Sequence, residues 1–334
     1  MANEYSRGVR VCVFGAGAVG GHFAAQLAAS GHEVSVVARG AHLEAIRRNG
    51  VTLLKGEQRI VGKVRAAEDP AQIGPVDYVL VTLKATALPG LAARVGPLLG
   101  TDTAVVFAQN GIPWWYALGI SSARSGTPGL TGLDPGGALA RAVSPERVIG
   151  SVVYSANEVV EPGVVKNNAP GRNVLVLGEP DDRQTERVER LASALEKSAI
   201  QAPIETDIRR SIWAKVQINL ASSSIGVVTQ STVKESLADP AIAELGKRMR
   251  AEARTIAAAH GVNPDGAPLP PPHTSGGPQH KTSMLQDYEL GRPMEIDAIL
   301  MAPLWFARAA QVPVPTLEAV IALAVHKSRK RGLY

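Results

Sequence analysis

A chain of 334 residues has room for two domains, and its 45% apolar and 19% charged residues exclude general disorder. One cysteine, Cys12, excludes a disulfide framework and a cysteine-built zinc cluster; it reads as a small core residue of a reduced, cytoplasmic protein. The net charge of +5, from 35 basic and 30 acidic residues, suits an anionic small molecule, while the absence of any basic motif interleaved with aromatics argues against nucleic acid, and the short apolar runs argue against a signal peptide or membrane span.

In chain order, the apolar run Val9–Phe14 predicts a strand and the small-residue stretch Val19–Ala29 a helix. Glu33–Ala38, Asp77–Leu83 and Thr103–Ala108 predict further strands, with a helix over Ala85–Leu99 broken at Pro89. Trp114–Val143, rich in Gly, Ser and Pro, reads as a loop excursion; Val148–Ser155 and Asn173–Leu177 read as added strands. Strands alternating with helices imply βαβ units and a parallel sheet, and with only 4% aromatics its core rests on Ala, Val, Leu and Ile. From Thr206 onward helical patterns dominate: Ile208–Ser222, Ala241–Ala259, Met284–Leu290, Glu295–Ala310 and Leu317–Ser328, with a stiff Pro-rich loop at 263–279. The expectation is an α/β chain, a Rossmann-type parallel-sheet domain over 1–205 followed by an all-α substrate and catalytic domain over 206–334.

Gly15-Ala16-Gly17-Ala18-Val19-Gly20 lies between the first strand and the first helix, the context in which GxGxxG binds a dinucleotide. Gly15 permits the tight turn, Gly17 lets the backbone approach a pyrophosphate, and Gly20 lets helix pack on strand; amides at the helix start face the anion. The second strand runs into Val37-Ala38-Arg39-Gly40. No acid stands there to hold a ribose 2′-hydroxyl, whereas Arg39 can meet a 2′-phosphate, which favours NADP(H) over NAD(H).

Lys215, Asn219 and Ser223 recur at intervals of four and share one helix face, with Trp213, Val216 and Leu220 on the other. Spacing alone leaves two readings open, a cleft-lining face or a solvated polar stripe. Ser283, in S-x-x-Q, predicts a helix N-cap. Gly291-Arg292-Pro293 separates two helices and places Glu295 in the first turn of the second.

Together GAGAVGG at 15–21, VTLKA at 81–85, QNGI at 109–112, WAKVQIN at 213–219 and SMLQDYELGRPMEID at 283–297 resemble the ketopantoate reductase family along nearly the whole chain. The resemblance implies NADPH-dependent reduction of a small 2-oxo acid, 2-dehydropantoate first, to the 2-hydroxy acid. It assigns Lys215 as the catalytic acid and Glu295 as an active-site carboxylate, with Asn219 and Ser283 on the substrate. It places Asn110 near the nicotinamide ribose, and Lys84 and Arg39 at the phosphate end of NADPH. An ammonium donates to the carbonyl oxygen as charge develops there, and a nearby carboxylate keeps it charged.

The chain departs from the family pattern where Ser223 replaces a second asparagine and Ser224 a proline, and where Ile299-Leu300-Met301 replaces Asn-Gly; these leave open a different 2-oxo or 3-hydroxy acid. A non-catalytic NADP(H)-binding redox sensor is the alternative from another class, but it would need neither Lys215 nor Glu295. The spacing of His22, His42, His260, His273 and His280 fits no metal-ligand motif, and Lys327, Arg329, Lys330 and Arg331 read as a solvated helix end. Family members occur as monomers and as homodimers, so either assembly fits.

Overall fold

The computed structural model describes residues 8–120, 126–268 and 280–334; the opening residues 1–7, part of the excursion after Trp114, and the second half of the 263–279 loop with His273 lie outside them. The described chain forms two compact units. One holds the described residues up to Gln109 with Gly137–Ile208, the other the described parts of Asn110–Gly136, Arg209–Leu269 and Gly276–Tyr334.

The first unit runs β1 (Arg10–Phe14), α1 (Ala18–Ala29), β2 (Glu33–Val37), α2 (Gly40–Asn49), β3 (Val51–Lys55), β4 (Gln58–Gly62), β5 (Arg65–Ala67), β6 (Val76–Val81), α3 (Leu88–Ala92), β7 (Leu99–Phe107), α4 (Ala138–Ala142), β8 (Val148–Tyr154), β9 (Asn157–Glu161), β10 (Val164–Asn167), β11 (Val174–Gly178) and α5 (Glu186–Lys197). Seven strands form the main sheet in the order β11-β8-β7-β6-β1-β2-β5. All neighbours are parallel except β11, which runs antiparallel to β8. From β1 the chain winds outward through β2 to β5, then returns to β6 and winds the other way. The order reverses between β1 and β6, the crevice where doubly wound sheets bind ligands. The stretch predicted as one broken helix over Ala85–Leu99 is instead three short pieces, with 3₁₀ turns on either side of α3, because Pro89 and Pro97 each remove an amide donor.

The four-stranded sheet β4-β3-β10-β9 is a feature that sequence patterning did not suggest. It packs on the outer side of α1: a Cβ on Gly21 would come within 2.6 Å of Val165, and one on Gly62 within 2.7 Å of the Ala25 backbone. Covered on both faces, α1 has no solvent stripe, and every residue from Gly20 to Leu27 is buried. His22 lies in this layer; burial, reinforced by the Lys55 ammonium, lowers its pKa to about 3, so the ring is neutral at physiological pH. Burial pushes the Cys12 thiol up to about 12, which makes it an inert core residue rather than a nucleophile.

The second unit contains α6 (Ile208–Thr229), α7 (Val233–Ala238), α8 (Pro240–Ala259), α9 (Ser283–Glu289), α10 (Ala302–Ala309) and α11 (Pro315–Lys330). α6 runs a full turn and more beyond the predicted end at Ser222, and it is buried almost all round, Ile218 being the large apolar residue left exposed. Lys327 caps its C-terminal end by donating to the carbonyls of Val227 and Val228 at 2.8 and 2.9 Å.

A single cut after residue 205 would leave 110–136 with the sheet. The contacts instead assign this segment to the helical unit, because its aromatic residues find their cover there. Fully buried Arg209 donates from Nε and Nη2 to the Tyr116 carbonyl at 3.1 and 2.9 Å, and Trp213 Nε1 donates to the Tyr116 hydroxyl at 2.8 Å. Among the described residues no helix is long and apolar enough to cross a membrane.

Candidate active site

In the first unit the glycine-rich turn sits at the mouth of the β1/β6 crevice. Gly15 has φ +103°, a conformation that suits glycine, and its amide donates to the Val37 carbonyl at 3.1 Å. A Cβ on Gly20 would collide with the Gly15 carbonyl and the Thr82 hydroxyl and lie 2.9 Å from Val13, so only glycine lets α1 approach β1 this closely. A Cβ on Gly17 would meet nothing within 4 Å. Gly17 is also the N-cap of α1, and no side chain caps that end. The open side of Gly17 and the uncapped helix start fit a pyrophosphate held by backbone amides.

Arg39 and Lys84 are exposed at the ends of strands of this same sheet. Arg39 follows β2 by two residues and is the N-cap of α2; Lys84 follows β6 and opens the 3₁₀ turn at Ala85–Ala87. Ala16, Ala18 and Val19 lie within the turn and the first helical residues.

Two residues that sequence reasoning passed over hold the turn. Thr82 Oγ1 donates to the Gly15 carbonyl at 2.5 Å. His42, considered only as a metal candidate, accepts the Gly163 amide on Nδ1 at 2.9 Å, which leaves the proton on Nε2 to be donated to the Ala16 carbonyl at 2.6 Å. Gly163 is in the turn between β9 and β10, so this imidazole ties the glycine-rich turn to the second sheet. Nothing in the local sequence marks His42 for this, because its partners lie 26 and 121 residues away. Among the described residues no group of three or more His, Cys, Asp or Glu side chains could hold a metal ion.

The second unit carries the remaining candidates. Lys215, Asn219 and Ser223 follow one another along α6, the first two half-buried and Ser223 buried at 3% exposure; opposite them Trp213, Val216 and Leu220 are in the core. The stripe is therefore partly withdrawn from solvent, with Ile218 beside it exposed. An open groove between α6, α7 and α8 is lined by Ser222, Ile225, Val233, Leu237 and Arg250, among others, but by none of the five substrate-side candidates.

Ser283 is not the N-cap. Thr282 takes that place, its hydroxyl accepting the Leu285 amide at 3.3 Å, and Ser283 is the first helical residue, exposed. Thr and Ser are adjacent and either hydroxyl can cap; the extended backbone at Thr282, with ψ 153°, decides.

Glu295 is buried at 8% exposure and stands just before the helix rather than in its first turn. Its carbonyl accepts the Ile299 amide at 3.1 Å, and the chain then makes a π turn over Asp297–Met301 before continuing as α10. Asn110 is half-buried, and the two residues after it rest on this π turn: a Cβ on Gly111, whose φ is +83°, would strike the Ala298 carbonyl, and the Ile112 amide donates to that carbonyl at 2.8 Å. Asn110, Lys215, Asn219, Ser223, Ser283 and Glu295 thus all belong to the helical unit, while the glycine turn, Arg39 and Lys84 belong to the sheet unit.

Two family models match the chain, "Ketopantoate reductase PanE/ApbA" over residues 11–114 and "Ketopantoate reductase PanE/ApbA C terminal" over residues 207–328. A 2-dehydropantoate 2-reductase of Mesorhizobium japonicum is 43% identical over 98% of this chain and 100% of its own length. Among solved structures, a candidate ketopantoate reductase of Ralstonia solanacearum is 34% identical, covers 98% of this chain and 100% of its own, and superposes with TM-score 0.85. The 2-dehydropantoate 2-reductase of Geobacter metallireducens is 27% identical, with coverage of 95% and 99% and TM-score 0.78. A glycine-rich turn in a doubly wound sheet, a lysine on a largely buried helix and similarity along the full length converge: the chain belongs to the ketopantoate reductase family, NADPH-dependent oxidoreductases acting on a CH–OH group.

Proposed function

We propose that this protein reduces 2-dehydropantoate to pantoate, with Lys215 as the proton donor. The observation that carries the reading is the combination, in one compact unit, of a half-buried Lys215 and a buried Glu295 within a stretch matched by the family's C-terminal model. A redox sensor has no use for that pair.

NADPH supplies the hydride when bound. The chain's own residues do the rest. Backbone amides around Gly17 take the pyrophosphate, and Arg39 and Lys84 take the 2′-phosphate end through charge-assisted bonds. Asn110 meets the nicotinamide ribose. Asn219 orients the 2-oxo acid, Ser283 and the start of α9 hold its carboxylate, and Ser223 lines the far end of the α6 stripe. Lys215 donates a hydrogen bond to the carbonyl oxygen and then its proton, so the negative charge that hydride addition would place there is neutralised as it forms. Glu295 keeps the ammonium charged in its partly buried position. We place this activity in the cytoplasm, on a free small-molecule substrate, with the homodimer as one of two assemblies.

The test is the decay of NADPH absorbance with 2-dehydropantoate and a panel of other small 2-oxo acids. A kcat/KM for 2-dehydropantoate above that of every other acid is expected. A higher value for another acid reassigns the substrate, to which buried Ser223 gives a physical route. Tight NADPH binding with no turnover on any acid overturns the enzymatic reading.

Cofactor choice is checked separately. Arg39→Ala should weaken NADPH binding roughly tenfold or more, the loss of a charge-assisted bond, and leave NADH binding unchanged. Equal effects on both nucleotides in a binding titration would remove Arg39 from the 2′-phosphate.

A further inference from the structure

The helix that begins at Ile296 and ends at Ala309 carries Pro303 in its interior. A proline there has no amide to donate, and its ring crowds the carbonyl four residues back, here Ile299. The chain relieves the crowding by widening. The Ala302 amide reaches back five residues to Asp297 instead of four to Ala298. In this register the next amide, which would reach Ala298, would be that of Pro303, and it does not exist. The Ala298 carbonyl is thereby left without a donor from its own helix. It is 3% exposed, so an unmet carbonyl would be costly. The donor that fills it is the Ile112 amide at 2.8 Å, with Gly111 lying flat against the Ala298 peptide.

That bond joins two pieces of the candidate site. Ile112 is two residues from Asn110, and Ala298 is three from Glu295. We infer that Pro303 and Gly111 are positioning residues: Pro303 holds the π turn open, and the freed Ala298 carbonyl fixes the Asn110 turn against the Glu295 segment, so that nucleotide contact and substrate contact are set by one hydrogen bond. The inference rests on the reading of Asn110 and Glu295 given above.

The experiment is Pro303→Ala in the full-length protein. The new amide allows an ordinary α-helical register, in which the Ala302 amide shares the Ala298 carbonyl and the turn that aims this carbonyl at Ile112 closes, weakening the Ile112 bond. The Ile112 amide should then exchange with solvent about tenfold faster or more. NADPH Kd should rise and kcat should fall, each by about fivefold, the worth of one buried hydrogen bond. Tm should stay level or rise, because alanine suits a helix interior better than proline. A merely structural proline would lower activity only together with Tm, and that result overturns the inference. So does faster Ile112 exchange with NADPH Kd and kcat unchanged, and so does unchanged exchange.

Gly111→Ala disturbs the same contact from the other side, so its effect on NADPH Kd should be non-additive with that of Pro303→Ala; additive losses also overturn it. Exchange and nucleotide titration need no turnover. A wild-type protein inactive on 2-dehydropantoate would sink the substrate reading and leave this one standing on its own measurements.

Discussion

Lys215→Ala should lose turnover by roughly a hundredfold to ten-thousandfold, the usual contribution of a positioned general acid, while NADPH affinity holds at the wild-type value. The glycine-rich turn at Gly15–Gly20, which we propose takes the pyrophosphate, is braced by Thr82 and His42, and Lys215 has no part in that bracing. Helix α6 buries its own Trp213, Val216 and Leu220, none more than 1% exposed, and the substitution leaves that core face intact, so the variant should fold. Lys215→Arg sharpens the point. Arginine keeps the positive charge but gives up its proton far less readily, so it should restore substrate binding better than turnover. Stopped-flow single-turnover rates with NADPH separate the two. A Lys215→Ala rate within tenfold of wild type would remove the lysine from the proton-transfer step.

Two glycines of the glycine-rich turn should fail in opposite ways. Gly20→Ala puts a methyl group into the Gly15 carbonyl, the Thr82 hydroxyl and Val13, all parts of a packed strand–helix contact that has no room to give. Overpacking of this kind costs about 1–3 kcal/mol where side chains can move. Here one obstacle is backbone, so the upper end is expected, with loss of Tm and of nucleotide binding together. Gly17→Ala meets nothing within 4 Å and keeps an ordinary φ of −68°. It should fold with Tm unchanged yet weaken NADPH by roughly tenfold or more, because its methyl group would stand where we propose the pyrophosphate approaches the backbone. Thermal denaturation with and without NADPH reads both. A Gly17→Ala protein stabilised by NADPH as much as wild type would mean that the anion is held elsewhere.

How far the fold was legible depends on how local its causes are. β1, α1 and β2 could be read because a continuous apolar run, three spaced glycines and a second apolar run each signal themselves within a few residues. β4 and β9 could not. Gln58–Gly62 and Asn157–Glu161 are mostly exposed edge segments whose polar and apolar residues follow no core-facing alternation, and they become strands only because β3 and β10 pair with them. Helix α6 was read short at Ser222 because three serines in succession look like a helix end. In the structure Ser222 and Ser224 hydrogen-bond back to the carbonyls of Ile218 and Leu220, and the helix runs through.

The candidate site divides the same way. Lys215, Asn219 and Ser223 share a face by helical arithmetic, and the structure shows that face partly buried. The cap before α9 slipped by one residue to Thr282, because adjacent hydroxyls cannot be ranked without backbone angles. His42 was out of reach, since its role comes from carbonyl and amide partners distant in sequence. The π turn had a single herald, Pro303 inside a helical pattern, and its meaning appears only with the Ile112 amide in view.

The second sheet has a consequence for how a nucleotide is received. With α1 clamped from both sides and its leading turn pinned by an imidazole to the β9–β10 hairpin, the amides that we propose meet the anion are held in place by the protein itself. Little ordering entropy remains to be lost on capture. The stiffness of the glycine-rich turn is therefore partly encoded more than a hundred residues downstream of it. On the proposed reading, altering the hairpin around Gly163 should change grip on the nucleotide without touching a residue assigned to contact it.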